Sequence, residues 1–464
     1  MTAIVKNWHL YALIIALVFA FGFCGASREG LQYHMMLNIF SWFVFSLLLI
    51  FKREMLMQNV VGFPFWLLGA LCVWVIITLL PLPVDWFPEK RLMLSRIGEN
   101  NFLGTPSKYL TISNAPAETI RSFLAFGPGG LGLTVACLLK KQQRTLIFYV
   151  LSGLGVISIC LGFGQIFLGP NSEFYLWEIT NRDSAVGVFS NANHQTIFAV
   201  ILLCPITYYC AEHLRKFRNN MFDGVGQLTL NFVLFAFTIM GVTIGGSLGG
   251  YLLFIVAIIF SIIFLSPQKI ISKRNALFFF SGLMIILGAV LAIFNSPRVS
   301  RLGHTSFGDG DLSRIGILAK LRLIIEEYGL TGTGFGSFEV IYPFYEDLGN
   351  IPTKFVPHAH NDWLEWCVEL GLPGLLILFV FVVCVLKNFI ALSKLPPEMT
   401  VLQSKLAALS VTLLGLHSLI DYPLRTPFLA LVFATMLGMS LSQPKTKRGH
   451  KSKKNSEDLK KKSL

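Results

Sequence analysis

The chain has 464 residues, 54% of them hydrophobic and only 14% charged, where a soluble globular chain carries about a quarter charged residues. That balance excludes an ordinary water-soluble domain. The formal charge of +13 does not mark a nucleic-acid surface, because the basic residues fall in short clusters between apolar runs.

Apolar runs near the length of a membrane-spanning helix, about 20 residues, recur along the chain. The alternating pattern of a β-barrel is absent, so the expected fold is all-α and polytopic. Spans are expected near residues 8–26, 33–51, 60–80, 119–139, 145–168, 194–212, 226–244, 247–265, 276–295, 371–392, 406–424 and 427–443, about a dozen helices in all. The first run, from Trp8 to Ala26, has a weak basic flank and reads as a span rather than a cleaved signal. With both termini placed in the cytoplasm, every loop on that side is basic: Lys52/Arg53, Lys140/Lys141/Arg144, Arg215/Lys216/Arg218, Lys269/Lys273/Arg274, Lys387/Lys394/Lys405 and the tail from Lys445 to Lys462. Three longer segments, 81–118, 169–193 and 296–370, then share the opposite face. The organisation expected is N-terminal helices over 1–295, an external loop over 296–370, C-terminal helices over 371–443 and a basic tail over 444–464. The eight cysteines lie mostly in apolar runs without metal-ligand spacing, so they read as small hydrophobes and no metal is expected.

Chemistry is sought in the longest external segment, since long ordered loops are usually functional. Ser313 to Tyr328 (SRIGILAKLRLIIEEY) reads as an amphipathic helix with Ile315, Leu318 and Ile325 on its apolar face. Arg322 and Glu326 are spaced for an ion pair, whereas Arg314 in the first turn has no such partner and opposes the helix dipole. Gly332 to Phe338 (GTGFGSF) could present backbone N–H groups to a phosphate, but taken alone it reads as a tight turn. In Pro357 to Gly374 (PHAHNDWLEWCVELGLPG), Asp362 and Glu365 have capping-box spacing, so a helix is expected to begin near Trp363. His358 and His360 precede that N-terminus, where a neutral imidazole could accept a proton. Spacing alone favours the plainer role, two interfacial histidines that hydrogen-bond the loop. Near the end, HSLIDYPLR puts His417 and Asp421 four residues apart on one expected helix face, either as a helix-locking hydrogen bond or as part of a site.

These stretches, in order, resemble the bacterial O-antigen ligase/polymerase superfamily. Gly187 to Ala199 (GVFSNANHQTIFA) is similar to its asparagine–histidine stretch entering a span. Asp311 to Phe338 resembles its arginine helix with glycine run, His358 to Gly374 its histidine signature, and His417 to Arg425 its late H-S-x-x-D-aromatic-P-L-R element. The resemblance implies a GT-C-like membrane glycosyltransferase acting on undecaprenyl-pyrophosphate-linked glycan, without cofactor or metal. It would lie in the bacterial inner membrane with its site facing the periplasm. The acceptor would be another lipid-linked repeat unit or lipid A-core. It further implies His360 as the base and Arg314 as a pyrophosphate ligand, with Arg182 as a second. His358, Asn361, Asn193, Gly334, Gly336 and Arg425 complete the substrate-binding set it implies. Arg182 lies further ahead of Gly187 than the family pattern has it. A transporter or flippase is the alternative that span count and basic cytoplasmic loops also fit, though no internal repeat is apparent.

Overall fold

A computed structural model describes residues 7–59, 63–87, 108–219, 221–265, 314–346, 356–396 and 398–442. The protein is a helical bundle. In chain order its helices are α1 (Trp8–Phe23), α2 (Leu31–Phe51), α3 (Arg53–Asn59), α4 (Phe63–Thr78), α5 (Pro116–Leu124), α6 (Phe126–Leu138), α7 (Lys141–Leu168), α8 (Ala192–Ile201), α9 (Leu203–Asn219), α10 (Met221–Gly245), α11 (Leu248–Leu265), α12 (Arg314–Tyr328), α13 (Phe338–Ile341), α14 (Asp362–Ser393), α15 (Met399–His417) and α16 (Pro427–Leu441). Strands are confined, among the described residues, to an antiparallel pair of two residues each, Leu82–Pro83 with Tyr109–Leu110.

Eight of the described helical stretches are long and apolar enough to cross a membrane, and α1, α4 and α16 are shorter apolar helices. They fall on the expected spans, save that of 276–295, which lies outside the described residues, as do 88–107, 296–313, 347–355 and the basic tail. Large apolar side chains project from several helices, among them Ile39, Phe43 and Ile50 of α2 and Phe379 of α14. In water these would form an unstable patch; against lipid tails they are at home. Helices α8, α15 and α16 are buried nearly all round and form the centre. Small residues let α6 and α16 approach closely: a Cβ on Gly438 would meet the carbonyl of Leu133, and one on Gly132 would meet Thr435. That is the usual device between helices where no hydrophobic effect drives association.

Loops gather by end of the bundle. At one end Arg28 pairs with Glu339 at 3.1 Å, Glu29 accepts from the N–H groups of Glu178 and Ile179, and Asn114 N–H donates to Thr333 O. At the other end Gln143 meets Asn7, Gln403 meets Lys141 O, and Lys405 donates to Leu395 O. The segments expected outside thus touch one another, and among the described residues the basic loops around Lys141 and Lys405 share the far end.

Two local expectations are corrected. On α12 the buried face is Ile317, Leu321, Ile324 and Tyr328, whereas Leu318 is 45% and Ile325 38% exposed. The buried set packs on Phe338, Ile341, Tyr342 and Val368. The Arg322–Glu326 pair is present at 2.8 Å. Second, α15 stops at His417, so His417 and Asp421 do not share a helix face. Pro423 disfavours helix at Tyr422, and Pro427 starts α16. The helix expected near Trp363 begins at Asp362 and runs past a break at Gly371 (φ 63°), two residues before Pro373.

Candidate active site

Two helices begin at this site, each capped by an asparagine. Asn191 accepts from Asn193 N–H at 2.8 Å to start α8, and Asn361 accepts from Leu364 N–H at 3.0 Å to start α14. The cap of α14 is therefore Asn361 and not the Asp362/Glu365 box, whose carboxylates are spent on tertiary contacts. Asp362 accepts from Ser418 Oγ (2.8 Å) and Leu424 N–H (3.1 Å). Asn361 Nδ2 donates to Leu419 O and Trp363 Nε1 to Gly415 O, both at 2.8 Å, so the start of α14 is stitched to the end of α15.

The turn 418–426 carries Asp421 into this junction, fully buried. Its Oδ1 accepts from Tyr422 N–H at 2.9 Å, and Asn193 Nδ2 donates to its Oδ2. His360 Nδ1 lies 3.5 Å from Oδ1, with the His360 side chain 32% exposed. Burial alone would raise the Asp421 carboxyl, but His360 and the neighbouring His194 and His417 outweigh it and hold it well below the usual carboxylate range. His360 has φ 51°, unique among the described non-glycine residues in adopting positive φ. Such backbone is costly for a side chain and clusters at functional sites. Tyr422, buried, presents its ring to three imidazoles at once: His358 at 4.6 Å, His360 at 5.0 Å and His194 at 5.0 Å between centroids.

A second network adjoins the first. His358 Nδ1 is 3.0 Å from Glu365 Oε1, and Ala359 N–H donates to Glu365 Oε2 at 2.8 Å. Arg425 Nη2 reaches Glu369 at 2.7 Å and Glu365 at 3.2 Å, and its Nε is 3.9 Å from Asp362. Burial would lower the arginine, but Glu365, Glu369 and Asp362 outweigh it and keep the guanidinium charged. Its Cζ lies 5.6 Å from the centroid of the Phe335 ring. The glycine run closes this side. Gly332, Gly334 and Gly336 all have positive φ, and the N–H groups of Thr333 and Gly334 go to Val368 O and Glu369 O at 3.0 and 2.9 Å. The run is a tight turn folded on α14, with those N–H groups committed to protein.

His360, His358, Asn361, Asn193 and Arg425 are thus brought together, and Gly334 and Gly336 border them. Arg182 is held elsewhere: it is exposed, donates to Pro170 O at 3.4 Å, and lies 5.7 Å from the Tyr175 ring. Arg314 opens α12, but its side chain lies outside the described residues. Sequence spacing missed Tyr422, Glu369 and His194 as site neighbours. For Glu365 and Asp421 it supplied the residue with the wrong partner. No group of histidine, cysteine and acidic residues among the described ones has the arrangement of a metal site.

The fold and site define a multi-pass helical membrane protein with a histidine–carboxylate junction at one end of its bundle. Residues 233–379 match the family model described as O-Antigen ligase, and this match supports membership of the O-antigen ligase/polymerase superfamily. The matched stretch contains the glycine run and His360 and ends before Asp421. No curated protein matches the chain.

Proposed function

We propose that this protein moves an oligosaccharide from an undecaprenyl-diphosphate carrier to an acceptor hydroxyl, with His360 as general base. The observation that carries the reading is one imidazole, strained in backbone and partly open, whose Nδ1 faces a buried carboxylate. A carboxylate there holds the ring with the proton on Nδ1 and stabilises the imidazolium once it forms. Nε2 then takes the acceptor O–H proton as that oxygen bonds to the sugar C1. The C1–O bond to phosphate breaks, and the diphosphate leaves with the electron pair. The donor already has a good leaving group, so the protein needs a base and positive charge but no nucleotide sugar and no metal. Arg314 is the guanidinium assigned to the diphosphate, a match to planar bidentate binding; Arg182, turned to Pro170 O and the Tyr175 ring, would have to leave those contacts to join it. The site faces the periplasm, both termini lie in the cytoplasm, and the membrane is the inner one; the described basic loops around Lys141 and Lys405, at the end away from the junction, support this. The acceptor is a second lipid-linked repeat unit in a polymerase, or lipid A-core in a ligase.

Full-length protein in detergent, given undecaprenyl-diphosphate-linked oligosaccharide, tests the reading. His360→Ala should lower transfer by about 10²–10⁴-fold, and Arg314→Ala should abolish it, both at normal protein level. Undiminished transfer in both variants removes the assignment. Product mass separates elongated carrier from glycosylated lipid A-core.

A further inference from the structure

Helix α8 brings a second imidazole to the same carboxylate. His194 is buried, with Nδ1 2.9 Å from Thr426 Oγ1 and Nε2 4.0 Å from Asp421 Oδ1. Nε2 is enclosed and has no hydrogen-bond partner among the described residues, a costly state for a polar atom. The preceding residue, Asn193, donates to the other oxygen, Oδ2. Two consecutive residues therefore address the two oxygens of one carboxylate. The ring cannot turn away. It stands edge-on to Tyr422 (84°) and to Phe189 (88°), and Phe189, Phe198 and Phe428 interlock beneath it.

We propose that His194 is a positioning residue which, with Asn193, holds the Asp421 carboxylate against His360 through an Nε2–H directed at Oδ1. The proposal rests on the reading of His360 as base. It fixes a tautomer: the proton is on Nε2, and the Thr426 hydroxyl donates to Nδ1. At 4.0 Å the contact is electrostatic and longer than a hydrogen bond; such contacts at reaction centres are commonly long before substrate binds. The titratable and charged groups around Asp421 are His194 on α8, His360 in the loop before α14 and His417 at the end of α15, with Tyr422 adjoining. Beyond Tyr422 stand His358, Glu365, Asp362 and Arg425.

The test is the rate of transfer from undecaprenyl-diphosphate-linked oligosaccharide by full-length protein in nanodiscs, followed from about pH 5 to 9 across the range where imidazole titrates. His194→Phe should lower kcat by about 10–100-fold, the order seen when a partner that orients a functional imidazole is removed. KM for the donor should hold. Its acid limb should be displaced, because the Asp421 carboxylate loses the N–H that holds it against His360. His194→Gln, whose amide N–H reaches the place of Nε2, should keep most of the rate and the wild-type limb. A wild-type rate and limb in His194→Phe, with His360→Ala inactive, overturns the positioning role and leaves the base in place. An active His360→Ala overturns the base reading instead. Should the phenylalanine variant fail to fold, a folded glutamine variant with a displaced limb or no activity is the overturning result.

Discussion

At His360 the backbone adopts a conformation that side chains rarely take, and the chain around it explains how that is held: Ala359 N–H is tied to Glu365, and Asn361 to Leu364 and Leu419. Removal of the asparagine cap by Asn361→Ala should cost about 1 kcal/mol and lower transfer together with thermal stability, read by melting the detergent-solubilised protein. Arg425 makes a harder test. It is 12% exposed and faces three carboxylates, so Arg425→Met leaves buried charge uncompensated and should cost about 3–5 kcal/mol. Arg425→Lys, a point charge in place of a planar fork, should not restore the wild-type melting midpoint. A midpoint unchanged in Arg425→Met would mean that the carboxylates are not held by this arginine. At this scale the sequence indicated which residues gather at the junction better than what they touch. His360 and Asp421 stand in recognisable motifs, but their pairing spans 61 positions of chain and no spacing rule reaches that far. Glu365 has the position of a capping residue, yet its oxygens go to Arg425, His358 and the N–H of Ala359, while the N–H of Asp362 goes to Ser418 O.

The helix α12 shows why the elements were legible but their faces were not. Its apolar residues, Ile317, Leu318, Leu321, Leu323, Ile324 and Ile325, run around most of the helix, so periodicity cannot choose among faces; packing on Phe338 and Val368 does. Leu321→Ala should therefore cost about 2–5 kcal/mol, and Leu318→Ala should be near neutral, as measured by thermal melting; equal effects would contradict the assigned face. The glycine run makes a second element-scale prediction. Gly332 has φ 75°, and a Cβ there would meet the carbonyl of Glu369 and the N–H of Gly371, on the strand of chain where α14 breaks. Gly332→Ala should cost more than the ~1–3 kcal/mol of backbone strain alone and should loosen Glu369 from Arg425. Helix ends followed their punctuation: prolines stop α15 and open α16, and the expectation of a helix through Asp421 failed because it gave the apolar run more weight than Pro423.

For the whole molecule, apolar run length and the placement of lysine and arginine made most helices legible, because the bilayer permits few alternatives. What composition could not supply is how loops distant in sequence converge, which rests on contacts such as Arg28 with Glu339 and Asn114 with Thr333. The two-ended arrangement predicts opposite accessibility for its loops. In a cysteine-free background, Glu178→Cys should react with an impermeant maleimide in intact spheroplasts and Lys394→Cys only after lysis; the reverse order would place the histidine junction in the cytoplasm. The account as a whole turns on the carboxylate that faces His360. Single-turnover transfer by Asp421→Asn, with donor binding measured alongside, examines it most directly. The corresponding carboxylate-to-amide change in a serine protease triad lowers kcat by about 10⁴ while leaving the geometry intact. A loss of at least about 10²-fold in the chemical step, of the order assigned to general base catalysis, with unchanged donor affinity, is the predicted result; transfer at the wild-type rate would contradict it.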